Sequence, residues 1–98
     1  MNSKGLSRVT PLNEGALFVT KRMEATAEHA MPRHTASVES VLVVTSGHCV
    51  VAFDDARHSV SAGDSFVVPA GVAHQVIAAP EFVAVHVMPK EIRFDFTQ

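Results

Sequence analysis

The chain has 98 residues and a mass of 10.5 kDa, which fits one domain with a modest core. Apolar residues make up 47% and charged residues 18%, a globular composition rather than a disordered one. A formal net charge of −2 and a pI near 6.3 leave no polybasic footprint for nucleic acid or an anionic membrane.

Sixteen valines stand against four leucines and two isoleucines. Valine stiffens at its branched β-carbon and suits a pleated strand, so the count predicts an all-β chain. In chain order, residues 1–15 read as a leading segment. Lys4 is followed by no apolar run, unlike a secretory leader. Ala16–Lys21 reads as a strand. Met23–Ala30 is ambiguous, because Glu24–Glu28 can hold a helical turn before Pro32 ends it. Glu39–Thr45 is a strong strand closed by Ser46-Gly47, with Ser40, Leu42 and Val44 on one face and Glu39, Val41 and Val43 on the other. Its Val41–Val44 run is far too short to span a membrane. Because this strand is apolar on both faces, its outer face calls for a cover, either the terminal segments or a second subunit, and the latter makes a homodimer the expectation.

Cys49–Phe53 and Arg57–Val60 read as a hairpin around Asp54-Asp55-Ala56, with Cys49 and Phe53 in the core. Cys49 is the only cysteine, which excludes an internal disulfide and makes a reducing cytoplasm the default compartment. Ser65–Val68, His74–Ala78 and Phe82–Met88 follow as strands, the last two separated by a turn at Ala79-Pro80-Glu81. Residues 16–89 thus read as one barrel, and the tail 90–98 as an added edge strand through Ile92, Phe94 and Phe96, which repeat with period two.

The chemistry lies in histidines rather than in any known catalytic signature. No phosphate-binding glycine loop, G-x-S-x-G elbow or H-E-x-x-H occurs, and no helix-turn-helix is legible. His74 opens a strand after the tight Pro69-Ala70-Gly71 reversal and can point inward. His86 lies on the Ala84–Met88 face of its strand, opposite Val83, Val85 and Val87. The valine face reads as core, which points His86 outward or into an interface; in the reverse register it points into the barrel beside His74. His48 and His58 read as surface residues next to turns.

The stretch from Gly63 to His74 resembles the second motif of the cupin superfamily, G-x5-P-x-G-x2-H-x3-N. Gly63, Pro69, Gly71 and His74 fill its positions, and Ala78 replaces the final Asn. Counted back from Gly47, the family's first motif falls on His34 for its first His, Ala36 for its second and Ser40 for its Glu. Glu28 stands in place of the opening Gly. The resemblance implies a single-domain cupin β-barrel (a jelly roll, or double-stranded β-helix) with its site inside the mouth. A typical cupin centre holds a divalent metal on three His and one Glu, and here only His34 and His74 remain at those positions. A third ligand for Fe, Mn, Ni or Zn then has to be recruited from His86, Glu39 or His29. Two expectations follow. One is a cavity that binds a small polar or anionic molecule through His34, His74 and Ser40, with Leu42, Val44, Val51, Phe66 and Val76 around it. The other is a metal-dependent enzyme of the dioxygenase or isomerase type on His34, His74 and His86.

Overall fold

The computed structural model describes residues 5–96. Its strands are β1 Ser7–Glu14, β2 Phe18–Ala25, β3 His34–Ala36, β4 Ser40–Ala52, β5 Arg57–Ser61, β6 Ser65–Val68, β7 Gln75–Pro89 and β8 Phe94–Phe96. Among the described residues there is no helix, and hence none long and apolar enough to cross a membrane. The chain is all-β, as its valine content requires.

Two long strands organise everything else. β4 and β7 pair antiparallel from Val41↔Val87 to Ala52↔Gln75. Register shifts between Val44 and Ser46 and between Gly47 and Cys49 bend the ribbon near its middle. Gly47 sits at this bend with φ +75, and a Cβ there would run into the carbonyl of Glu81 on β7. The breaks expected at Ser46-Gly47 and at Ala79-Pro80-Glu81 are therefore bends inside continuous strands. Turn-forming residues end a strand only where the pairing partner also ends; here each bend lies opposite the other, and the ladder resumes beyond both.

The bend divides the ribbon between two layers. One layer runs β1, β2, the second half of β7, the first half of β4, then β6. The other holds β5 and the remaining halves of β4 and β7. The chain before β3 extends it through Met31 N–H to the Val76 carbonyl (2.9 Å) and Ala78 N–H to the His29 carbonyl (3.0 Å). β3 then pairs with β8, His34 opposite Phe96. Leu42, Val44, Cys49, Val51, Val60, Phe82 and Ala84 form the core between the layers.

Alternation on β4 is as expected, with Ser40, Leu42 and Val44 buried. On β7 the expectation of a valine core face is overturned. Ala84 and Met88 are buried, and His86 lies opposite the inward Leu42. Both faces of that strand are apolar, so alternation cannot decide between them; the pairing with β4 does. Val83, Val85 and Val87 instead join Val41, Val43 and the 54% exposed Val67 on the outer face.

Other elements differ too: β3 at His34–Ala36 is a strand the sequence reading does not contain. β1 arises inside the leading segment and pairs with β2 along its whole length. Its side chains are nearly all exposed, so it carries no apolar alternation to betray it. The ambiguous stretch after Met23 forms no helical turn. Ala27 (φ 54) and Glu28 (φ 62) are both left-handed, and His29 N–H donates to the Thr26 carbonyl (3.0 Å) across them. That is a type I′ turn.

Candidate functional site

Between the two layers, at the open end of the barrel, lies a cavity of about 360 Å³. It is placed by a backbone contact. His34 N–H donates to the His74 carbonyl and His74 N–H to the His34 carbonyl, each at 3.0 Å. The two residues are thus direct cross-strand partners, and their side chains must leave the sheet on the same face. Their rings meet edge to face with centroids 4.6 Å apart.

The outer shell fixes how each ring is used. His34 Nδ1 lies 3.0 Å from the Pro32 carbonyl and His74 Nδ1 lies 2.9 Å from the Val72 carbonyl. A carbonyl only accepts, so Nδ1 carries the proton in both rings and Nε2 is left free. Neutral imidazole with a free Nε2 is a hydrogen-bond acceptor or a metal ligand. His74 is 3% exposed, and burial holds its pKa below the ordinary histidine value, against the opposing pull of its bond to Val72.

The third imidazole comes from the other layer. His86 reaches the cavity from β7, and its Nε2 lies 2.7 Å from the hydroxyl of the buried Ser40. Burial pushes its pKa down to about 4, helped by the neighbouring His34, His74 and Lys21. This ring is neutral in ordinary buffers. Beside it Lys21 projects from β2, paired in register with His86, and lines the same cavity. Met23, Met31, Leu42, Val68, Val76 and Met88 supply apolar walls, while Phe94 and Phe96 of β8 close in over His34, with ring centroids 5.2 and 5.3 Å from it.

Of the residues expected from sequence, His34, His74, His86, Leu42 and Val76 line this cavity. Ser40 does not touch it directly and acts through His86. Phe66 does not line it. It packs instead on Phe53 and His58, with centroids 6.2 and 5.2 Å away. Val44 and Val51 are closed into the core. Glu39 is exposed, one residue out of phase with the inward Ser40, and His29 is not in the lining. His48 is half-buried against the Ser61 hydroxyl at 3.3 Å. Sequence reasoning missed Lys21. Its signal was present: Lys21 shares the inward alternation of Val19, Met23 and Ala25, an ammonium on an apolar face.

The donor set does not fit a resident cupin-type metal. Among the described residues, no group of three or more His, Cys, Asp or Glu side chains is arranged to hold an ion. His34 and His74 offer two Nε2 atoms, Ala36 and Ser40 supply neither imidazole nor carboxylate, and the Nε2 of His86 is engaged by a hydroxyl. Tight protein sites for such ions need three or more good ligands.

This two-layered barrel, with an inward histidine pair at its mouth, defines a cupin. The chain belongs to the cupin family: the model of the cupin domain matches residues 19–88. Solved structures agree on the fold. A cupin-2 domain containing protein from Shewanella frigidimarina is 25% identical, with 92% of this chain and 85% of that one covered at a TM-score of 0.74. A cupin domain from Bordetella pertussis is 21% identical over 86% of this chain and 93% of its own, with a TM-score of 0.70. A salicylate 1,2-dioxygenase from Pseudaminobacter salicylatoxidans superposes with a TM-score of 0.81 at 14% identity, covering 92% of this chain and 30% of that one. No curated protein matches the chain.

Proposed function

We propose that this chain is a small-molecule-binding cupin that holds a polar or anionic ligand in the barrel mouth without a resident three-ligand metal. The observation that carries this reading is the pairing of His34 and His74. Their Nδ1 atoms are tied back to carbonyls, and their Nε2 atoms are free beside a cavity of about 360 Å³. A few placed polar groups in an otherwise apolar hollow are the usual composition of a ligand site, and roughly 300–1,000 Å³ is the usual size. The alternative, a metal-dependent dioxygenase or isomerase on His34, His74 and His86, lacks a third free donor.

The test has two arms. Protein purified without a polyhistidine tag is incubated with Fe, Mn, Ni and Zn and analysed for metal. The expected result is well under one equivalent; stoichiometric metal that His74→Ala abolishes would overturn the metal-free reading and support the enzyme reading instead. In the second arm a metabolite library is screened by thermal shift. A ligand at about a hundred times its Kd adds roughly 2.7 kcal/mol of stability, and the shift is expected to vanish in His34→Ala.

We infer that a second copy of the chain covers the outer valine face. Arg22 and Glu24 share that face, opposite Val85 and Val83. A two-fold axis through such a face buries the valines of both copies at its centre and leaves Arg22 and Glu24 towards its border.

A further inference from the structure

The charge of the cavity is one-sided. Lys21 is half-buried in its wall, and no Asp or Glu side chain lines it. Among the described residues, Lys21 has no ion-pair partner; the ion pairs are Arg8–Glu24, Arg33–Asp54 and Lys90–Glu14. An ammonium at an apolar hollow without a counter-ion is an arrangement that an anion completes. The layer facing it offers something different. In the neutral rings the Nε2 atoms of His34 and His74 are lone-pair acceptors, because both Nδ1 protons point at carbonyls. Acceptors repel a carboxylate and bind a hydroxyl. The cavity therefore has two unlike polar ends, a cation on β2 and a pair of acceptors on the other layer, with methionine, valine and phenylalanine around them.

Resting on the reading of this cavity as a ligand site, we propose that its ligand is a small carboxylic acid. The carboxylate pairs with the Lys21 ammonium, and the apolar body carries a hydroxyl that donates to Nε2 of His34 or His74. His86 stands beside Lys21 and is held by Ser40, so it shapes the anionic end. No bond is made or broken; the proposal concerns recognition alone.

Three probes separate the parts: para-hydroxyphenylacetate, its neutral amide, and phenylacetate, which lacks the hydroxyl. Binding is measured near neutral pH by calorimetry and by the imidazole NMR signals of His34 and His74. The hydroxy acid is expected to bind and to move both imidazole signals. The amide should bind about tenfold or more weakly, the worth of one hydrogen bond involving a charged group, and phenylacetate about threefold to tenfold more weakly, the worth of a neutral one. Lys21→Met should bring the acid down to the level of the amide, and Lys21→Arg, which keeps the charge, should restore the preference. An amide that binds as well as the acid, or an acid indifferent to Lys21→Met, overturns the carboxylate assignment while leaving the cavity a ligand site. Phenylacetate binding as well as the hydroxy acid overturns the role given to the two Nε2 atoms. If none of the probes moves either imidazole signal, the hydroxy-acid assignment falls, while the binding-site reading stands or falls separately on the library screen.

Discussion

Gly47 shows how much of the fold can rest on one missing side chain. With φ at +75 it sits in the left-handed region, and an added Cβ would meet the Glu81 carbonyl and come within 3.0 Å of the Phe82 Cα. Neither obstacle is a flexible side-chain end. Gly47→Ala should therefore cost about 3 kcal/mol or more in urea unfolding, well above the roughly 1 kcal/mol of left-handed strain alone. Gly71→Ala is the control: φ is +73 but nothing lies near the added Cβ, so only the strain remains.

Burial also sets the chemistry of single groups. His86 titrates near 4 when folded, against 6.5 for a free histidine. The folded state binds this proton less tightly than the unfolded state does, so protonation favours unfolding. Stability is intact above about pH 6.5 and falls as the pH drops towards 4, by roughly 3 kcal/mol from this ring. His74 shifts in the same direction and steepens the loss. His86→Leu should flatten the acid limb of a stability–pH profile measured by denaturant melts; an unchanged limb would refute the buried-imidazole account. At Cys49, burial raises the thiol pKa to about 11, and the side chain is fully enclosed. A thiol reagent should label it only after denaturation.

At the scale of elements, the type I′ turn at Ala27-Glu28 uses residues ill suited to it. Both central positions need positive φ, which Asn-Gly accepts at little cost. Ala27→Asn combined with Glu28→Gly should raise stability by about 1 kcal/mol in the same melts. The backbone bond from Glu28 N–H to the Pro80 carbonyl survives the change, since glycine keeps its N–H. The elements also show what the sequence made legible. β5, β6 and the Gly63–His74 motif follow from turn residues with ordinary offsets, and β8 from the spacing of Phe94 and Phe96. β4 and β7 read as shorter pieces in the sequence because Gly47 and Pro80 mark bends and turns alike, and only the partner strand distinguishes them. β1 was invisible because an exposed edge strand has no apolar side to display. In the site, His34 and His74 were legible from motif position. The inward aim of His86 runs against the sequence reading, since valine and alanine faces compete on local pattern alone. Lys21 is legible as well, as the one charge in the apolar alternation Val19, Lys21, Met23 and Ala25 that marks the inward face of β2.

For the whole molecule, the outer valine face sets an expectation about assembly. Val41, Val43, Val83, Val85 and Val87 lie on one side of a single layer, flanked by Val67. Sedimentation equilibrium at micromolar concentration should give a dimer, and Val85→Lys should return it to the monomer without loss of secondary structure. A wild-type monomer would exclude this face as an interface.

The reciprocal amide contacts between His34 and His74 carry one more consequence. Because main-chain atoms hold the two positions opposite each other, their spacing does not depend on which side chains they bear. The barrel mouth therefore behaves as a socket: new pairs of functional groups installed at these two sites inherit a fixed separation and a common orientation. Reactivity at the mouth is open to redesign while the surrounding scaffold stays as it is.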